Sequence, residues 1–281
     1  MNVRDFSLLV KKEYKRLNGA RFFSERALLS AILEHFGFHR NAPLITPEQP
    51  IGEKETDMAE DLRKLLAGYP IQYYLGTEWF CGYEFAVAPE VLIPRPETQA
   101  LAEKAAAVAE EKSTVFDFCC GSGCIGLSVL LKREDLFCRM YDLSDAALHL
   151  SRENCERLGL TKRCSIEKMD VLSDDAYEQV RKYKPSLIVS NPPYLTPEEM
   201  EKIDDNVKNE PAMALLGGAD GLAFYRSLIH LSAKTGVDLL CEIGCNQKEG
   251  IEKLLKLQDL EYEFYQDDAG LDRIFYTQKI K

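Results

Sequence analysis

Apolar positions recur at helical spacing over the first 75 residues. Phe6, Leu9, Val10 and Leu17 form one stripe. Leu28, Ile32, Leu33 and Phe36 form a second, which follows a candidate N-cap at Ser24 and stops at Gly37. A third runs from a cap at Thr56 through Met58, Leu62, Leu65 and Leu66 to Gly68. Residues 38–55 hold three prolines and no clear period, which predicts loop or a short irregular helix. From Tyr73 the texture turns aromatic and β-branched with Gly punctuation, as a hairpin requires. From residue 97 helices at 97–111, 124–132, 145–158, 221–234 and 247–256 alternate with apolar runs at 115–119, 137–142, 164–168, 186–190, 237–243, 260–265 and 273–278. That alternation predicts an α/β domain whose mostly parallel sheet is covered on both faces, with ligands at the carboxyl ends of its strands.

The length of 281 residues fits two domains at roughly 150 residues each. The expected division is a small all-α domain over 1–75, a hairpin connector over 76–96 and an α/β domain over 97–281. A net charge of −11 repels phosphate backbones and removes the general electrostatic term of nucleic-acid binding, so no direct nucleic-acid contact is expected. Nine cysteines without a CxxC pair read as free thiols in a reducing cytoplasm, with no metal site expected. The charged N-terminus and the lack of an 18-residue apolar run argue against secretion and membrane spanning.

The run at 115–119 leads directly into Gly121-Ser122-Gly123-Cys124-Ile125-Gly126, a G-x-G-x-x-G at a strand-to-helix junction. Glycines there let backbone approach a ligand, and the following helix offers N–H groups. Asp142 ends the next strand, where a carboxylate can accept from ribose hydroxyls. Both features suit NAD and S-adenosylmethionine alike. The choice comes from Asn191-Pro192-Pro193-Tyr194, which follows the apolar strand ending at Ser190. Two prolines fix the backbone and remove donors, Asn191 supplies an acceptor oxygen and Tyr194 a flat face. Such a cluster suits a planar amide or amino nitrogen awaiting a methyl group, and it has no role in a dinucleotide oxidoreductase.

With these residues the chain resembles, nearly end to end, the HemK/PrmC family of class I methyltransferases. That family modifies the glutamine of the Gly-Gly-Gln tripeptide in bacterial peptide chain release factors. The resemblance rests on Leu92-Ile93-Pro94-Arg95-Pro96-Glu97-Thr98, Asp117 to Gly123, Asp142, Asn191 to Tyr194, Glu210-Pro211, Gly217-Gly218, Asp220 to Leu222, Glu242-Ile243-Gly244, and Asp268 to Gly270 with Asp272-Arg273. It departs at Cys119, where the family commonly has Gly. It implies a Rossmann-like, seven-stranded sheet, S-adenosylmethionine as cofactor, a cytoplasmic monomer and a helical N-terminal domain that recognises the release factor. By position, Cys119, Cys120, Gly121, Ser122 and Gly123 would wrap the methionine end, Asp142 the ribose, and Asp170 with Val171 the adenine, with Asn191 also touching the cofactor. Asn191 and the Pro192 carbonyl would accept the two hydrogens of the glutamine amide, with Pro193 and Tyr194 against it. Arg95 and Thr98 would close over the site. Two relatives by chemistry compete: ribosomal-protein glutamine methyltransferases, and adenine or guanine amino methyltransferases acting on nucleic acid. The wording Arg95 to Thr98 favours the release-factor branch, and the acidity disfavours nucleic acid.

Overall fold

A computed structural model describes residues 1–17 and 23–279. The chain divides into two compact units, the first made of Met1–Gly76 with Ile203–Asn209 and the second of Thr77–Lys202 with Glu210–Lys281.

The first unit is helical: α1 Val3–Arg16, α2 Glu25–His35, α3 Ala42–Ile45, α4 Glu55–Leu66 and α5 Ile71–Leu75. Asn2 and Asp5 form a reciprocal capping box on α1, and Ser24 caps α2 by accepting from the Ala27 N–H. The predicted apolar stripes meet in one core containing Phe6, Val10, Leu28, Ile32, Met58 and Leu62. Two expectations fail locally. Thr56 lies inside α4, which is entered from a 3₁₀ turn at Gly52–Lys54 without a side-chain cap. Residues 73–75 are the end of α5 rather than strand, because Pro70 starts a helical turn that Gly76 closes in the left-handed region.

The second unit opens with the hairpin β1 Thr77–Phe80 and β2 Tyr83–Ala86, then a 3₁₀ turn at Pro96–Thr98 running into α6 Gln99–Val108. Next come β3 Thr114–Phe118, α7 Cys124–Lys132, β4 Phe137–Asp142, α8 Asp145–Arg157, β5 Cys164–Lys168, α9 Asp174–Tyr183 and β6 Leu187–Ser190. The chain continues with α10 Pro197–Met200, α11 Ala223–Thr235, β7 Asp238–Glu242, α12 Lys248–Leu257, β8 Leu260–Gln266 and β9 Asp272–Lys279. The expectation lacked α9. Its charged sequence DDAYEQVRKY buries only Ala176 and Val180, too narrow an apolar stripe to stand out in the sequence.

The seven-stranded sheet has the order β5-β4-β3-β6-β7-β9-β8, parallel except for β9, which runs antiparallel to both β7 and β8. Period-two alternation on the central strands builds two cores: Val115, Leu187, Val189 and Leu240 face one side, Phe116, Phe118, Ile188 and Leu239 the other. The chain order reverses between β3 and β6, and a crevice forms outside the carboxyl ends of strands at such a switch point. Among the described residues no helix is long and apolar enough to cross a membrane.

Candidate active site

A solvent-open crevice of about 190 Å³ lies over the carboxyl ends of β3, β4 and β6. Of the residues singled out by sequence, Arg95, Thr98, Cys119, Cys120, Gly121, Ser122, Asp142, Asp170, Val171, Asn191 and Pro193 line it. Gly123, Pro192 and Tyr194 do not lie on its wall.

The loop after β3 owes its shape to unusual backbone. Cys119 and Gly121 both sit in the left-handed region, at φ 58° and 56°. The turn is anchored when the Cys120 N–H donates to the Tyr141 carbonyl at 3.1 Å. Asp142 secures the next step: one carboxylate oxygen accepts from the Gly121 N–H and the other from the Ser144 N–H, each at 2.9 Å. Each oxygen keeps a further lone pair for a ligand hydroxyl. Burial raises the Asp142 pKa, and the backbone donors pull it back. Burial also pushes the thiols of Cys119 and Cys120 well up, so neither offers a thiolate. Asp170 is exposed at the rim, accepting from the Leu172 N–H at 2.9 Å, while Val171 is buried.

On the opposite wall, β6 ends with Ser190, whose hydroxyl donates to the Phe118 carbonyl at 2.7 Å and ties the two crevice-forming strand ends together. Asn191 follows, and its amide Nδ2 donates to the buried Thr98 hydroxyl at 3.3 Å. Pro192 is buried. The Tyr194 backbone is held from both sides: its N–H donates to the Leu215 carbonyl at 3.1 Å, and its carbonyl accepts from Gln247 Nε2 at 2.9 Å. Its ring packs on the apolar cluster that contains Tyr225 and Ile243. Desolvation pushes the Tyr194 phenol up to about 12, so it stays protonated at neutral pH.

Arg95 pairs with Glu210, whose side chain is only 1% exposed and also accepts from the Ile93 N–H at 3.1 Å. The pair is thus a clamp on the segment before α6 rather than a surface contact. Sequence reading gave no role to five functional neighbours, of which only Glu242 belongs to a motif named there. Gln247 holds the Tyr194 loop, Leu143, Met169 and Phe224 supply apolar wall, and Glu242 is buried at the end of β7. Only Glu242 carried a legible signal, an acid closing the apolar run Leu239-Leu240-Cys241.

Comparison with known proteins bears on this arrangement. The family model described as methyltransferase small domain matches residues 96–214. A methyltransferase from Pyrococcus furiosus shares the fold, with a TM-score of 0.51 at 13% identity over 71% of this chain and 90% of that one. The release factor glutamine methyltransferase of Bacillus subtilis is 35% identical over 262 residues, 89% of each chain. That of Clostridium botulinum is 36% identical over 252 residues, 84% of this chain and 85% of the relative. Identity of this degree over most of both chains, with a class I methyltransferase fold, means that this chain belongs to the release factor glutamine methyltransferase family.

Proposed function

We propose that this enzyme methylates the side-chain amide nitrogen of the Gly-Gly-Gln glutamine of peptide chain release factors, with S-adenosylmethionine as methyl donor. The observation that carries the reading is that the Asn191 amide and the glycine loop with Asp142 open on the same crevice at the switch point of the sheet.

The crevice suits the donor on its own terms. Its walls are largely apolar, and Asp142, the carboxylate placed for ribose, is fixed on it by two backbone hydrogen bonds. Cys119, Cys120, Gly121, Ser122 and Gly123 would hold the methionine end, Asp142 the ribose hydroxyls, and Asp170 with Val171 the adenine. S-adenosylmethionine supplies a sulfonium methyl group whose leaving group is a neutral thioether.

The chain's own residues contribute orientation and polarity. Asn191 Oδ1 accepts one hydrogen of the glutamine amide at the crevice wall and the Pro192 carbonyl, set back from that wall, would accept the other, which holds an otherwise weak nucleophile and favours its electron-rich form. Pro193 and Tyr194 stiffen that loop, and Arg95, held by Glu210, borders the opening. Orientation of this kind is worth up to roughly 7–11 kcal/mol of a barrier. The amide nitrogen bonds to the methyl carbon as the carbon–sulfur bond breaks, and the proton the nitrogen loses passes to solvent in the open crevice. The helical unit over residues 1–75 serves as the recognition module for the release factor, with the hairpin segment 76–96 as its connector to the catalytic unit.

The test is transfer of labelled methyl from S-adenosylmethionine to purified release factor, beside the same factor with its Gly-Gly-Gln glutamine replaced, ribosomal protein and DNA. Label confined to the unmodified release factor is expected. Incorporation that survives the replacement, or that goes instead to ribosomal protein or DNA, refutes the acceptor.

A further inference from the structure

A side-chain amide has two ends of almost equal shape and opposite polarity. Asn191 can serve as an acceptor toward a substrate amide only if Oδ1, and not Nδ2, faces the crevice. Something must hold Nδ2 in the other direction. Nδ2 donates to the Thr98 hydroxyl, 2% exposed, and a hydroxyl oxygen is a dependable acceptor when its own proton is drawn to a stronger acceptor.

Glu242 lies where that acceptor is needed. Ser190 pairs with Cys241 in the parallel register, so Asn191 and Glu242 are the residues that leave two neighbouring strands at the same level. Glu242 is 4% exposed, and its buried Oε2 has no hydrogen-bond partner among the described residues. The strand end is fixed by the Tyr225 hydroxyl, which donates to the Glu242 carbonyl at 2.9 Å. A buried carboxyl oxygen without a partner costs stability, and a functional role is one reason for a fold to keep it.

We propose that Glu242, acting through the Thr98 hydroxyl, sets which end of the Asn191 amide faces the crevice and is therefore a positioning residue for the methyl acceptor. The proposal rests on the role of Asn191 given above. With Glu242 ionised, Thr98 donates to the carboxylate and turns its lone pairs toward Asn191 Nδ2. With Glu242 protonated, the acid can donate to Thr98, and the chain of polarity is no longer fixed.

The titratable and polar groups whose charge or hydrogen bonding this carboxyl senses come from several elements. They are Thr98 and Glu97 on the turn before α6, Asn191 and Tyr194 on the loop after β6, Arg273 on β9, Tyr225 on α11 and Cys124 on α7. Desolvation raises the Glu242 pKa to about 7 against the lowering effects of Thr98, Arg273 and Asn191, with Glu97 raising it further. Arg273 is largely committed elsewhere, to Asp267 at 2.8 Å. Glu242 thus changes charge within the range of an ordinary assay, and orientation is lost on the acid side.

The experiment measures kcat for methyl transfer to release factor from about pH 6 to about pH 9, with both substrates saturating. The wild type, Glu242→Gln, Thr98→Val and Thr98→Ser are compared. The wild type is expected to lose kcat as pH falls below about 7. Glu242→Gln is expected to flatten that limb, and Thr98→Val to lower kcat at least about tenfold with KM for S-adenosylmethionine within about twofold. Thr98→Ser is expected to restore wild-type behaviour. If Glu242→Gln does not fold, Thr98→Val against Thr98→Ser decides. Wild-type kcat and an unchanged acid limb in Glu242→Gln, or wild-type kcat in Thr98→Val, would overturn the positioning role and leave the proposed reaction standing. A wild type that transfers no methyl to release factor overturns both.

Discussion

Asn191 and Asp117 show how much one polar side chain does in this fold. Asn191 is only partly buried, borders the crevice and has one end of its amide committed to Thr98, so its value lies in the other end. Asn191→Ala is expected to lower kcat about 10²- to 10³-fold, the range for losing one preorganised polar contact to the reacting group, with S-adenosylhomocysteine affinity little changed. Turnover and calorimetry on the same preparation check both halves. Asp117 is fully buried; Oδ2 accepts from the Gly126 N–H at 2.9 Å, and Oδ1 has no partner among the described residues. Desolvation raises its pKa to about 8, with the Gly126 donor opposing and Asp142 reinforcing. A carboxyl whose folded pKa lies above its unfolded value holds more protons folded than unfolded. Its contribution to stability therefore declines as pH rises from about 4 to about 8, by at most about 1.4 kcal/mol per pH unit. Asp117→Asn is expected to remove that decline and to be the more stable protein at about pH 8, as urea unfolding across pH would show.

Elements fit here through close approach. Gly126 sits in the first turn of α7, where a helix-interior glycine is ordinarily improved by alanine by roughly 1 kcal/mol. A Cβ at this position would lie 2.8 Å from Cys138 Sγ and 2.9 Å from Asp117 Oδ2, both buried and held by the sheet. Overpacking wins over propensity, and Gly126→Ala is expected to destabilise by about 1–3 kcal/mol in urea unfolding. Asn154, 1% exposed on α8, joins three segments at once. Its amide accepts from the Ala86 N–H at 2.7 Å and donates to the carbonyls of Ala86 at 3.1 Å and Ser122 at 2.9 Å. It therefore ties the end of the hairpin to the glycine loop. Asn154→Ala strands buried backbone groups, each worth about 1–3 kcal/mol. Its Tm is expected to drop, and S-adenosylhomocysteine binding to weaken with it because the Ser122 turn loses its support. A normal Tm with normal binding would contradict that account. Most element boundaries were legible, since caps such as Ser24 and punctuation such as Gly37 act locally. Thr56 misled because a 3₁₀ turn already supplied the helical geometry a cap would have started, and α9 was missed because it buries too little to pattern its sequence.

At the scale of the molecule, the sheet order makes the crevice, and ligand occupancy should be felt as global stability. A ligand present at about 100 times its dissociation constant stabilises the folded state by about 2.7 kcal/mol. For a protein of this size that corresponds to a Tm rise of roughly 5–10 °C. S-adenosylhomocysteine is expected to give such a shift and NAD none; a shift with NAD alone would refute the donor assignment. The sequence by itself determined the α/β class, the helical first unit, the strand-to-helix glycine junction and the tetrapeptide Asn191 to Tyr194. Each of these is written in spacing between near neighbours, where periodicity, caps and prolines act directly. Only the tertiary structure decided that the glycine loop and Asn191 share one crevice. It also decided that Arg95 is clamped by a buried Glu210, that Tyr194 lies off the crevice wall, and that Glu242 leaves its strand level with Asn191, whose amide donates to Thr98. Those pairings join residues far apart in the chain. They exist because parallel strands from distant segments align their carboxyl ends, and burial there sets the charge of each acid in a way that no local pattern encodes.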